Sequence, residues 1–194
     1  MSEILKYTGR ELSWLQFNER VLEEALDPLN PLLEQLRFLS IFSSNLDEYF
    51  MIRVSGMKGQ EDLGLTVPDK KTGYLAGEYL QKMLKASNRL VQRLYEIYNT
   101  KILELKEYVN FSTYQELKPK HQHKLEQYFK RFVFPILTPI RFSSYLPFPL
   151  LPNLSVYLIS KLEDEDGNVH FSVVTVPKNV ERFVQAVLAV SSDA

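Results

Sequence analysis

The stretch FLSIFSSNLDEYFMIRVSG, residues 38–56, decides how the first half of the chain is read. Two apolar segments with the look of buried helix flank the polar run Ser43-Ser44-Asn45-Leu46-Asp47-Glu48. Asn45 stands three residues before Glu48, the spacing of a capping box in which one side chain bonds forward and the other reaches back. That reading breaks the stretch into two helices. The first is marked by Leu32, Leu36 and Leu39 and runs to about Phe42; Asn30 is its cap and Pro31 its first helical position. The second runs from Leu46 to about Val54, with Asn45 as its cap.

Upstream, Thr8-Gly9-Arg10-Glu11 reads as another capping box, with Thr8 as N-cap and Glu11 reaching back. Leu12, Leu15, Val21, Leu22 and Ala25 then recur at helical spacing, which predicts an amphipathic helix over residues 9–26. Asp27-Pro28 ends it, because a residue before proline is pushed out of the helical region. Downstream, residues 56–73 carry glycines and acids and read as an exposed connection. From Leu75 through Tyr79, Leu80, Met83, Leu90, Val91, Leu94, Tyr98 and Ile102 a helical period persists for about thirty residues. The N-terminal part is therefore expected to be an all-α helical bundle.

The character changes after Asn110. One more helix is expected over residues 119–133, opened by Pro119, followed by an extended FPILTP and a proline-rich LPFPLLPN that cannot be helical. LSVYLISKLE and NVHFSVVTVP are β-type runs joined by Asp164-Glu165-Asp166-Gly167, a hairpin signal. A short helix from Val180 to Val190 is expected next. An isolated hairpin is marginal, so more strands are needed. The expected fold is thus an all-α bundle over residues 1–107, then the truncated start of an α+β domain with a β-hairpin over residues 108–194.

Composition narrows the function classes. With 23 Lys plus Arg against 24 Asp plus Glu, the net charge of −1 gives no general attraction to nucleic acid. The absence of cysteine excludes disulfides, thiolate metal sites and cysteine nucleophiles. Residues 1–14 hold no apolar run behind basic residues, so they do not read as a signal peptide. No apolar run reaches the ~20 residues of a membrane span. A soluble intracellular protein without a transmembrane segment is expected.

Residue chemistry alone offers no catalytic set. Neither G-x-x-x-x-G-K-[ST] nor G-x-G-x-x-G occurs, and Gly56-Met57-Lys58-Gly59 reads as a plain turn. His121 and His123 are two apart on a helix and cannot share a metal as an i, i+4 pair does. His170 reads as a cross-strand side chain, and the acids at 163–166 as a solvated turn. No catalytic or metal-binding residue is assigned.

Three segments carry more. RELSWLQFNERVLEEA (residues 10–25), NPLLEQLRFLSIFSSNLDEYFMIRVSG (30–56) and FPILTP (134–139) closely resemble the N-terminal region of polyphosphate kinases, in the family's order. The resemblance is strong over residues 10–57, rests on pattern in the long helix, and is moderate over 132–190. It implies a helical N-terminal domain and part of a head domain. The implied enzyme is bacterial and cytoplasmic or peripheral to the inner membrane. It moves the γ-phosphate of ATP reversibly onto inorganic polyphosphate, with Mg2+, through a phosphohistidine outside these 194 residues.

The same resemblance implies the site residues. The asparagine of S-N-L-D-E, Asn45 here, is the ATP-contacting residue beside adenine; Arg53, two helical turns on, is a weaker candidate by its position as a further polar support. A salt bridge of Arg53 to Asp47 or Glu48 is the competing reading. The head domain is implied in homodimerisation or higher assembly and in lining a polyphosphate path, making Lys and Arg of residues 118–141 candidate contacts. Ser143 and Leu146 stand where the family often has Asp and His. The fragment alone is expected to be inactive and to hold no cofactor tightly. A non-catalytic helical interaction module is the alternative.

Overall fold

The structure, a computed structural model, describes residues 8–142 and 148–184. The chain folds as two compact units, Met1–Phe111 and Ser112–Ala194.

In the first unit, α1 spans Arg10–Glu23 and tightens into a 3-10 turn, Glu24–Leu26. A dense turn follows. Asp27 Oδ1 accepts the Leu29 amide at 2.9 Å, and Asn30 Nδ2 donates back to the Glu24 carbonyl at 2.9 Å. Gln35 Nε2 donates to the carbonyls of Asp27 and Asn30 at 3.0 and 2.8 Å. Asn30 thus closes the preceding turn, and Pro31 takes the N-cap of the next helix instead of its first helical position.

The break expected at Ser43-Ser44 does not occur. Helix α2 runs unbroken over Leu32–Glu48 and continues through a wide π turn, Tyr49–Val54, into α3, Ser55–Asp62. Ser43 Oγ donates to the Leu39 carbonyl four residues back at 3.0 Å, so its hydroxyl is satisfied without ending the helix. Leu39, Phe42, Leu46 and Tyr49 keep a 3–4 spacing across the polar run and are all buried. The polar residues are simply the outer and flanking faces of that helix. Tyr49 and Val54 are five apart and both buried, a spacing that a π turn aligns and a regular helix does not. Gly56 and Gly59 accordingly sit in α3 rather than in a turn, and the exposed connection shrinks to the stretch after Asp62.

Helix α4, Ala76–Leu105, is the long helix read from the period. It packs on α1, α2 and α3. Leu15, Leu22, Phe42, Tyr49, Leu80, Met83 and Leu90 form the shared core. Full burial of such side chains contributes roughly 1.5–3 kcal/mol each. At the rim, Glu19 of α1 joins Arg89 and Arg93 of α4 at 2.9 Å each.

Thr8 does not cap α1. Gly9 is the N-cap residue and, having no side chain, offers the first turn no capping group. The Tyr79 hydroxyl on α4 accepts the Leu12 amide at 3.4 Å instead. A Cβ on Gly9 would lie 1.7 Å from that hydroxyl, so the approach requires glycine.

In the second unit, α5 spans Pro119–Tyr128 and runs through a π turn, Phe129–Val133. Phe134–Ile136 form a 3-10 turn, so FPILTP is extended only from Leu137 onward. Three strands follow: β1 Pro139–Phe142, β2 Tyr157–Glu163 and β3 Val169–Thr175. They form an antiparallel sheet in the order β1-β3-β2. The hairpin is thus as read, and β1 supplies a third strand. Asp164 organises its turn: Oδ1 accepts the amides of Asp166 and Asn168, and Oδ2 meets His170 Nε2 at 2.9 Å. Residues 180–184 are bends and irregular chain, not helix; the rest of the helix expected to Val190 lies outside the described residues, as do Ser143 and Leu146.

Candidate functional site

The seam between α1 and the α2–π segment is built from three side-chain rungs. Glu11, Trp14 and Asn18 lie at i, i+3 and i+7 of α1, which places them on one stripe. Across from them stand Arg53, Tyr49 and Asn45. The positions run antiparallel, so each rung follows from the one before.

The first rung is an amide pair. Asn18, fully buried, donates through Nδ2 to the Phe42 carbonyl at 3.2 Å and accepts the Asn45 Nδ2 at 3.0 Å. Asn45 is half-buried, in the last two turns of α2. It is therefore not an N-cap: its side chain spans two helices instead of bonding its own. The second rung is aromatic, with Trp14 and Tyr49 stacked at 5.0 Å and 15°. The third is ionic. Arg53 Nη1 lies 4.0 Å from Glu11 Oε1, and its guanidinium sits 5.8 Å from the Trp14 ring centre. Arg53 thus pairs with Glu11 rather than with Asp47 or Glu48, which face outward and are exposed.

Two phenols bear on this ladder: Tyr49 within its second rung and Tyr79 of α4 beside the Glu11 end. Burial pushes the Tyr79 hydroxyl up to about 12, opposed by the amide it accepts from Leu12. Burial also pushes the Tyr49 hydroxyl upward, with Tyr79 and Glu11 reinforcing and Arg53 opposing. Tyr49 Oη is buried with no hydrogen-bond partner among the described residues. Beside this end lies a cavity of about 480 Å³ lined by Gly9, Arg10, Glu11, Lys71, Tyr74 and Tyr79, among others. Neither Asn45 nor Arg53 lines it. Both residues named from sequence therefore share the seam but not a contact, separated by the Trp14–Tyr49 rung.

Asn18, Trp14 and Tyr79 are members of the site that sequence reasoning misses. Asn18 does carry a legible signal: it falls between Leu15 and Leu22 on the buried face of α1, where an amide needs a partner. In the second unit, the basic residues of 118–141 are spread over α5, its π turn and β1. Among the described residues, His123 meets Gln127 at 2.9 Å. No group of three or more His, Asp or Glu able to hold a metal occurs among the described residues.

Comparison with known proteins places this architecture. Residues 7–112 match the family described as "Polyphosphate kinase N-terminal domain", and residues 120–193 the "Polyphosphate kinase middle domain". The chain belongs to the polyphosphate kinase family. It is 42% identical over 188 residues to a polyphosphate kinase of Halalkalibacterium halodurans, which covers 95% of this chain and 27% of the relative. A Bacillus cereus polyphosphate kinase is 40% identical over 191 residues, with the same shares covered. The crystal structure of polyphosphate kinase from Porphyromonas gingivalis superposes with a TM-score of 0.63 at 30% identity, covering 87% of this chain and 25% of that one. The chain thus spans about a quarter of the length of these polyphosphate kinases. Among its described residues, no helix is long and apolar enough to cross a membrane.

Proposed function

We propose that this chain contributes the nucleobase side of the ATP site in a polyphosphate kinase. In that enzyme the γ-phosphate of ATP passes reversibly to inorganic polyphosphate through a phosphohistidine outside these residues. The observation that carries the proposal is the Asn45 amide. It is half-buried, held on one side by Asn18, and keeps a carbonyl oxygen and a second N–H for a ligand. Adenine offers a matching exocyclic amine and ring-nitrogen acceptors. Arg53 supports the same face through Glu11 and Trp14. The second unit takes the dimer and polyphosphate roles, with the Lys and Arg of residues 118–141 as phosphate contacts. Magnesium finds no carboxylate cluster among the described residues, so none of them is assigned to hold it.

One wall of a pocket makes few contacts, while ligand immobilisation costs on the order of 4 kcal/mol or more. The 194-residue chain should bind ATP with a dissociation constant of about a millimolar or weaker. Calorimetry giving micromolar affinity would mean a more complete site than proposed. The deciding test is kinetic. In the full-length enzyme, Asn45→Leu should raise KM for ATP about tenfold with little change in KM for polyphosphate, the scale of one or two lost hydrogen bonds. Unchanged ATP kinetics would remove Asn45 from the site. Labelled ATP and magnesium should leave no acid-labile phosphate on the isolated chain, and stoichiometric phosphohistidine there would overturn the placement of the nucleophile.

A further inference from the structure

An adenine contact at Asn45 raises a question of orientation. The two ends of a side-chain amide are nearly isosteric yet opposite in hydrogen bonding, so an amide free to flip reads a base poorly. The structure fixes this amide through a second one. The Phe42 carbonyl can only accept, so Asn18 must turn Nδ2 toward it. Asn18 Oδ1 then faces Asn45, and only the Asn45 Nδ2 can meet it. The Asn45 carbonyl oxygen is thereby turned away from Asn18. Because Asn18 is fully buried, neither water nor rotation offers an escape. A flip of Asn45 would set oxygen against oxygen in a dry seam, disfavouring it by roughly one to two orders of magnitude.

We propose that Asn18 is a positioning residue that locks the Asn45 amide and thereby sets nucleobase selectivity. With the carbonyl oxygen presented, the site accepts from an exocyclic amine, as on adenine, and repels a ring carbonyl, as on guanine. This rests on the assignment of Asn45 to the nucleobase. Asn18 touches no ligand and acts only through Asn45.

The test is kcat/KM for ATP and for GTP in the full-length enzyme. Asn18→Leu, close in volume, removes the lock and should lower the ATP-to-GTP ratio about tenfold. Asn18→Asp, neutral when buried, can donate to Phe42 and accept from Asn45, and should keep the ratio near the parent. In an Asn45→Leu background, Asn18→Leu should change the ratio no further, whereas a merely structural role would still add its effect. Should Asn18→Leu fail to fold, Asn18→Ala is read in the same assay and should lower the ratio likewise. An unchanged ratio in a folded Asn18 variant, with Asn45→Leu raising KM for ATP, overturns the lock alone. Unchanged ATP kinetics in Asn45→Leu overturns the nucleobase assignment and the lock with it.

Discussion

The two units solve burial differently. In residues 1–111 the apolar stripes of α1, α2 and α4 converge, and Leu22, Phe42 and Met83 are fully excluded from solvent. In residues 112–194, Val173 is the one buried hydrophobic side chain among the described residues. Its sheet is held mainly by the β ladder and by edge contacts such as Phe142 on Phe171, stacked at 5.6 Å. Leu158, Ile159 and Leu162 of β2 and Phe129, Phe132 and Phe134 stay largely exposed. The lesson is that apolar content does not by itself make a core. Helices of thirty and seventeen residues enclose their own stripes, while three short strands bury little of either face.

Core truncation puts the largest strain on that contrast. Phe42→Ala should cost about 3–5 kcal/mol. Ile159→Ala on β2 should stay within about 0.5 kcal/mol, as an exposed site does. Urea unfolding followed by helical circular dichroism measures the first, and near-equal losses would erase the distinction between the units. Next in size is the approach of α4 to α1. Gly9→Ala drives a methyl into the Tyr79 hydroxyl and should cost about 1–3 kcal/mol. Gly56→Ala meets open space within a helix and should stabilise by about 0.4–1 kcal/mol. Opposite signs in thermal melts are the expected outcome.

The seam offers a sharper discrimination. Were Asn45 a cap, Asn45→Ser would keep a capping oxygen and melt like the parent. Across the seam, serine is too short to reach Asn18, whose Oδ1 is left buried without a donor. The expected cost is about 1–3 kcal/mol, and a parental melting temperature would contradict the amide pair.

The smallest effect is local to the β2–β3 turn. His170 and the turn amides hold the Asp164 carboxyl below its ordinary 3.8, to about 2. A depressed folded value means the stabilisation is complete above about pH 4 and is lost as pH falls through about 2. Amide shifts of Asp166 and Asn168 should titrate with a midpoint near 2. A midpoint near the ordinary carboxylate value would mean the turn is not organised by Asp164.

What the sequence disclosed follows the range of the forces. Helices α1 and α4 and the β2–β3 hairpin are legible because period and turn chemistry are local. The run Ser43-Ser44-Asn45 misleads because these residues bond equally well forward as caps or back and across within a continuing helix. The decisive partners, Leu39 for Ser43 and Asn18 for Asn45, differ by register and by tertiary packing. The π turn leaves no local mark beyond a five-residue step between Tyr49 and Val54. For the candidate site, Asn45 comes from family resemblance and Arg53 from its place two helical turns further on. Their partners Asn18 and Glu11 emerge only once α1 lies against α2.

The cap of α1 has a consequence for synthesis. The first turn of this helix borrows its acceptor from Tyr79, 67 residues downstream of Leu12. At a translation rate of about 5–20 residues per second, the helix leaves the ribosome roughly 3–13 s before that hydroxyl exists to receive it. During that interval the turn at Gly9–Leu12 has water as its partner. The Leu12 amide therefore works as a clock on a nascent chain: its proton should exchange freely until α4 is made and docks, and slow only then.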